Sequence, residues 1–207
     1  VTPAQLPRLY AIVDPQDSGR SPLALAAAYL AGGARLLQLR LKAAGARELY
    51  ETALALRGVT RAVGARLVVN DRPDVAAAVD ADGVHVGQTD VPVAVARRVV
   101  GPARWIGVST HDVEEATRAV GDGADYLGVG PVYATTSKAG ALPARGLALV
   151  RAVRGLTHVP LVAIGGITAE TAADVLAAGA DAVAVIGALT HAPDPAAATR
   201  ELLARLG

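Results

Sequence analysis

The sequence contains no cysteine, no methionine and no phenylalanine, a single tryptophan, and two lysines, Lys42 and Lys138, against eighteen arginines. Without cysteine, disulfides, thiolate nucleophiles and zinc–sulfur sites are excluded together, and the composition suits a reducing compartment. No apolar run approaches the roughly 20 residues of a membrane span. The first residues, VTPAQLPRLYAIVD, lack a charged region followed by an apolar core and a cleavage site, so a cytoplasmic protein with no membrane partner is expected. An excess of one charge is missing too. Twenty basic residues stand against nineteen acidic ones, interspersed, for a net charge of +1, which leaves no footprint for nucleic acid. Specificity then has to come from a local site. Because the chain uses arginine wherever a generic positive charge will do, its two lysines stand out. Both fall beside polar residues at expected strand ends, where a compact ammonium acts as a point charge on phosphate.

What is present is a rhythm of short apolar runs and alanine-rich helical segments, in a chain whose 207 residues are 52% hydrophobic. Strands are expected at Leu9 to Val13, Leu36 to Leu39, Leu67 to Val69, Val84 to Val86, Trp105 to Val108, Tyr126 to Val129, Pro160 to Ile164 and Ala182 to Ile186. Helices are expected at Leu23 to Ala31, Arg47 to Val63, from Pro73, Val91 to Val99, Val113 to Val120, Leu147 to Val153, Ala169 to Ala177 and Pro195 to Leu206, with Asp112 as one N-cap. Eight strand–helix units in about 200 residues imply an α/β fold, a single (β/α)8 TIM barrel over residues 1–207. The stretch after the sixth strand, GPVYATTSKAGALPARG, is long for a strand-to-helix connection and reads as a functional loop.

The organising stretch is LVVNDRPDVAAAVDADGVHVGQTD, Leu67 to Asp90, which carries the only asparagine, Asn70. Two strand ends there deliver Asp71 and Asp90, one strand–helix unit apart, on the edge where a parallel barrel gathers its active site. A hard cation shared through oxygen ligands and the capping of two proline-started helices both account for the pair at this point. Gln38, Arg40 and Lys42 would share one face if their strand stays extended. Gly165-Gly166 and Ile186-Gly187 follow strands seven and eight, where such barrels bind phosphate and where glycine lets backbone N–H groups approach an anion. Arg40, Lys42 and Lys138 around an Asp71–Asp90 cation would suit a diphosphate bridged by Mg2+. His85, in VHV, reads as packed within its strand.

Six ordered blocks, QLRLK, VVNDRPD, DGVHVGQTD, IGVSTH, GVGPVYATTSK and AIGGIT, resemble the thiamine phosphate synthase family nearly from end to end. The resemblance implies a transferase of thiamine biosynthesis that joins a hydroxymethylpyrimidine diphosphate to a thiazole phosphate, giving thiamine phosphate and diphosphate. It implies that the block Gln38, Leu39, Arg40, Leu41 and Lys42, with Asn70, Ser109 and Lys138, binds the pyrimidine diphosphate. Among these, Arg40, Lys42, Ser109 and Lys138 would take the catalytic roles. It also implies that Asp71 and Asp90 hold Mg2+, and that Thr135, Thr136, Ser137, Gly166, Ile186 and Gly187 hold the thiazole phosphate. The partners are thus small molecules, and a homo-oligomer is compatible with this reading. Serine stands at 137 where the family often has threonine, and glycine at 187 where it often has serine. A related branch uses this barrel as a thiazole tautomerase with a histidine in the block that holds His111. That activity and a non-catalytic phosphate-binding barrel are the alternatives.

Overall fold

The computed structural model describes residues 6–137 and 142–207. Strands β1 (Leu9–Val13), β2 (Leu36–Leu39), β3 (Arg66–Asn70), β4 (Gly83–Val86), β5 (Trp105–Thr110), β6 (Tyr126–Val129), β7 (Leu161–Ile164) and β8 (Ala182–Val185) pair in parallel and in order. The pairing of β1 with β8 closes the barrel. Outside lie α1 (Pro22–Ala31), α2 (Ala46–Ala62), α3 (Pro73–Ala78), α4 (Val93–Val100), α5 (Val113–Gly121), α6 (Gly146–Arg154), α7 (Ala172–Ala177), α8 (Gly187–Thr190) and α9 (Pro195–Leu206).

Runs such as LYAIV, LVAI and AVAV are apolar throughout because parallel strands in this arrangement are buried on both faces. Alternate residues divide between two cores. Leu9, Ala11, Leu37, Leu67, Val69 and their equivalents pack against the helices, whereas Tyr10, Ile12, Leu36, Val68, Trp105, Tyr126 and Val162 fill the barrel interior. Asp112 caps α5 as expected, accepting from Glu115 N at 2.8 Å, and α1 starts one residue before the expected Leu23, with Ser21 accepting from Ala24 N at 3.2 Å ahead of Pro22.

At the amino-terminal end of the strands, three aspartates repeat one device. Asp82, Asp125 and Asp181 precede the even strands β4, β6 and β8, and each accepts the first free N–H of the odd strand before it, from Leu67, Ile106 and Leu161 at 2.7–2.8 Å. Arg57, Arg97 and Arg154 respectively pair with these carboxylates. The recurrence of Ala-Asp before β6 and β8 is therefore a tie between neighbouring strands, on the face of the barrel that serves stability.

Four expectations are corrected. Strand β2 stops at Leu39, so Arg40 and Lys42 leave on a loop and do not share a strand face with Gln38. Strand β5 runs two residues past Val108, because Ser109 and Thr110 stay in register with Gly128 and Val129 of β6. Helix α7 begins at Ala172 and not Ala169, since Thr171 Oγ1 accepts from Thr168 N at 3.0 Å and closes a turn first. His85 is more than a residue packed in its strand, because its ring nitrogens meet Tyr126 and Ser109. The single turn α8, for which there was no expectation, is too short for periodicity to register.

Candidate active site

The carboxyl ends of the strands carry two neighbouring groups of polar residues. The first lies over β1 to β4. Arg40 pairs with Asp14, both mostly buried, and Lys42 pairs through Nζ with Asp71 Oδ2. Asp71 takes φ +61°, a left-handed conformation uncommon for a residue with a side chain, and its N–H donates to His85 O at 2.7 Å. Burial, and after it the neighbouring Asp90 carboxylate, raise its pKa above the usual carboxylate value against the opposing pull of Lys42. Asp90 Oδ2 accepts from Gly87 N at 2.7 Å.

Neither aspartate caps a helix. The N-cap positions of α3 and α4 are Arg72 and Pro92, and neither helix receives a side-chain cap bond. Two neighbouring carboxylates with one ammonium beside them form an oxygen-only donor set of the kind that would fit a hard divalent cation. Among the described residues no group of three or more His, Asp or Glu side chains gathers as a metal cage.

The second group surrounds a cavity of about 640 Å³ over β5 to β8. Ser109 and His111 line one wall; Thr135, Thr136, Ser137, Gly166, Ile186 and Gly187 line the other. Gly166 has φ +63°, and a Cβ there would lie 2.4 Å from Ala134 O, so glycine lets the turn after β7 press against the β6 loop. That loop is held in turn by Gln16 Nε2, which donates to Ser137 O at 2.6 Å, while Thr135 Oγ1 accepts from Ser137 N at 3.2 Å. His111 Nδ1 and its own backbone N both meet Glu115 Oε2 at 2.8 Å, which fixes the ring against α5.

Of the residues expected at the site, Asn70 ends β3 half-buried, and Leu39 is fully buried against the helix layer, which leaves its backbone as the part that can meet a ligand. Leu41 also packs partly on that layer. Lys138 lies outside the described residues.

Gln38 and Ser109 belong to different groups, yet buried side chains connect them. Gln38 Nε2 donates to Tyr10 OH at 2.9 Å; Tyr10 OH lies 3.0 Å from Tyr126 OH, which lies 3.1 Å from His85 Nδ1; His85 Nε2 lies 2.9 Å from Ser109 Oγ. Burial raises the pKa of both phenols, so both stay protonated. His85 is thus not simply packed within its strand: it points into the barrel and joins Tyr126 to Ser109. The sequence reading missed Tyr10, Tyr126 and Glu115. The signal available was tyrosine inside two apolar strands of a chain without phenylalanine, where a hydroxyl at a core position calls for a partner.

A family model described as thiamine monophosphate synthase matches residues 9–189. The thiamine-phosphate synthase of Chloroflexus aurantiacus is 54% identical over 198 residues, 95% of this chain and 91% of that protein. That of Moorella thermoacetica is 50% identical over 94% of this chain and 93% of its own. Among solved structures, thiamine phosphate pyrophosphorylase from Pyrococcus furiosus superposes with a TM-score of 0.88 at 41% identity, covering 96% of this chain and 95% of that one. A 3-hexulose-6-phosphate synthase with a TM-score of 0.73 but 22% identity shares the barrel alone. With a family model spanning the barrel from β1 into α8 and relatives identical at half their positions, the chain belongs to the thiamine monophosphate synthase family.

Proposed function

We propose that this chain is a thiamine-phosphate synthase that joins 4-amino-5-hydroxymethyl-2-methylpyrimidine diphosphate to a thiazole phosphate, releasing diphosphate. The observation that carries the reading is the division of the barrel mouth. Paired carboxylates with Arg40 and Lys42 occupy one side, and the cavity rimmed by Ser137, Gly166 and Gly187 the other. One substrate needs a cation-assisted diphosphate site, the other a phosphate cradle beside it.

In this assignment Gln38, Arg40, Lys42, Asn70, Ser109 and Lys138 bind the pyrimidine diphosphate, and Asp71 and Asp90 hold Mg2+. Mg2+ when bound supplies positive charge to the diphosphate oxygens. Arg40 and Lys42 orient the leaving group and offset the charge that grows on it as the methylene C–O bond breaks with its electron pair leaving on diphosphate. The backbone N–H groups around Ser137, Gly166 and Gly187 hold the thiazole phosphate so that the ring nitrogen faces the electron-poor methylene and forms the new C–N bond. No covalent nucleophile is required, which suits a site without cysteine. The components are small molecules, consistent with a cytoplasmic enzyme.

The test is incubation with both substrates, with and without Mg2+, while thiamine phosphate and diphosphate are followed. Stoichiometric appearance of both products only with Mg2+ supports the reading. Binding without turnover, or conversion of the thiazole alone, would replace it with the phosphate-binding or tautomerase alternative.

A further inference from the structure

The chain of buried hydrogen bonds between Gln38 and Ser109 has a direction set by its donors. An amide nitrogen can only donate, so Tyr10 OH accepts from Gln38 and must place its own proton elsewhere. Tyr10 is buried, and Tyr126 OH lies 3.0 Å away; a buried hydroxyl proton left without an acceptor would be costly, so Tyr10 donates to Tyr126. Tyr126 then donates to His85 Nδ1, which leaves the neutral imidazole with its proton on Nε2, donated to Ser109 Oγ. With its oxygen accepting from His85, the hydroxyl of Ser109, which lines the cavity, still has its own proton to donate.

The backbone is shaped for this line of rings. A Cβ at residue 107 would lie 2.0 Å from Tyr126 Cζ and 2.4 Å from its hydroxyl, and one at residue 128 would lie 3.0 Å from His85 Cε1. Glycine at these inward positions of β5 and β6 makes the space in which Tyr126 and His85 meet.

We propose that Tyr10, Tyr126 and His85 are positioning residues, which transmit the amide orientation of Gln38 across the barrel interior and present Ser109 as a hydrogen-bond donor to the reacting groups. The kinetic part of this proposal rests on the synthase reading above; the tautomer of His85 does not.

The experiment has two arms on the full chain. Nitrogen-15 NMR of the histidine side chains, with His85 assigned by its loss in His85→Asn, reads the tautomer; a neutral ring protonated on Nε2 is expected. A ring protonated on Nδ1, or on both nitrogens, overturns the proposal. In the kinetic arm, Tyr126→Phe should lower kcat about tenfold, the scale of one hydrogen bond, with KM values close to the parent's. Combined with Ser109→Ala, it should be no slower than Ser109→Ala alone, because both changes remove the same donor. Losses that multiply would mean that Tyr126 acts independently of Ser109 and would overturn the proposal. Should Tyr126→Phe fail to fold, Tyr10→Phe enters the same comparison. A parent chain that forms no thiamine phosphate would defeat the functional reading, while the nitrogen shifts would still decide the tautomer.

Discussion

Asp71 and Asp90 are near enough that the Asp90 carboxylate, after burial itself, helps raise the pKa of Asp71. Folding therefore brings together two like charges that an unfolded chain keeps apart. The left-handed backbone at Asp71 adds a further cost at the same residue. Strain and repulsion gather at one position while neither side chain caps a helix, which is what the proposed cation site predicts for residues kept for a ligand and not for stability.

Asp71→Asn should consequently leave the Mg2+-free protein as stable as the parent or more so, while abolishing most coupling activity. The sign of the pH dependence follows from the raised pKa. Between the unfolded and folded values the folded chain binds more protons, so the contribution of Asp71 is fully present below the unfolded value and is lost as pH rises through the folded one. Urea unfolding across the mildly acidic range should show the parent losing ground to Asp71→Asn as pH increases. Added Mg2+ should raise the Tm of the parent and neither that of Asp71→Asn nor that of Asp90→Asn. Equal Mg2+ stabilisation in all three proteins would remove the metal assignment.

Arg40 and Asp14 form the opposite case, a nearly buried pair whose charges compensate each other. Arg40→Ala leaves the Asp14 carboxylate buried without its partner and should cost about 3–5 kcal/mol in chemical denaturation. Adding Asp14→Asn should recover most of that stability without restoring coupling. If the double variant is as unstable as Arg40→Ala, the pair is not what Arg40 contributes to the fold.

The barrel was legible because each strand is a short apolar run and alanine-rich helical segments alternate with the strands, one of them, α5, starting at the Asp112 cap. Most of the polar residues expected at strand ends do reach the barrel mouth, since a parallel barrel sends every strand's carboxyl end to one face. What the sequence could not convey is the pairing between strands far apart in the chain. Tyr10 and Tyr126 are 116 residues apart, and only closure of the barrel makes their hydroxyls neighbours. The partners of His85 were hidden for the same reason: alternation places it on the inner face of β4, packed as expected, but the groups it meets come from β5 and β6. Gly107 and Gly128 make the same point, since the rings of Tyr126 and His85 that fill their space come from other strands.

Gly166 and Gly187, both proposed to hold the thiazole phosphate, should respond differently to substitution. Gly166 sits at positive φ with Ala134 O and Tyr133 Cβ where a side chain would go, so Gly166→Ala should lower Tm and impair both substrates. A Cβ at Gly187 meets only Ser137 Oγ at 3.0 Å and the His191 ring edge at 3.8 Å, side-chain atoms that can yield. Gly187→Ala should therefore keep its Tm while raising the KM for thiazole phosphate several-fold more than that for the pyrimidine diphosphate. Parallel changes in both KM values would show that residue 187 does not belong to the thiazole phosphate site.

Lys42 separates leaving-group stabilisation from structure most directly. Its side chain is 54% exposed, and an ion pair so open to solvent contributes little to stability, about 0–1 kcal/mol, so Lys42→Ala should unfold near the parent's Tm. Its ammonium nevertheless lies on Asp71, where a diphosphate held by the paired aspartates would come within reach. As the C–O bond breaks, charge grows on that diphosphate, and an interaction strengthened in the transition state appears in kcat more than in binding. Lys42→Ala should slow single-turnover diphosphate release by about 10²-fold, as expected for loss of one preorganised electrostatic donor. Lys42→Arg should restore only part of the rate, because a planar guanidinium keeps the charge but not the compact point donor. Release at the parent's rate in Lys42→Ala, with saturating substrates, would return Lys42 to the solvated surface and remove it from the proposed leaving-group site.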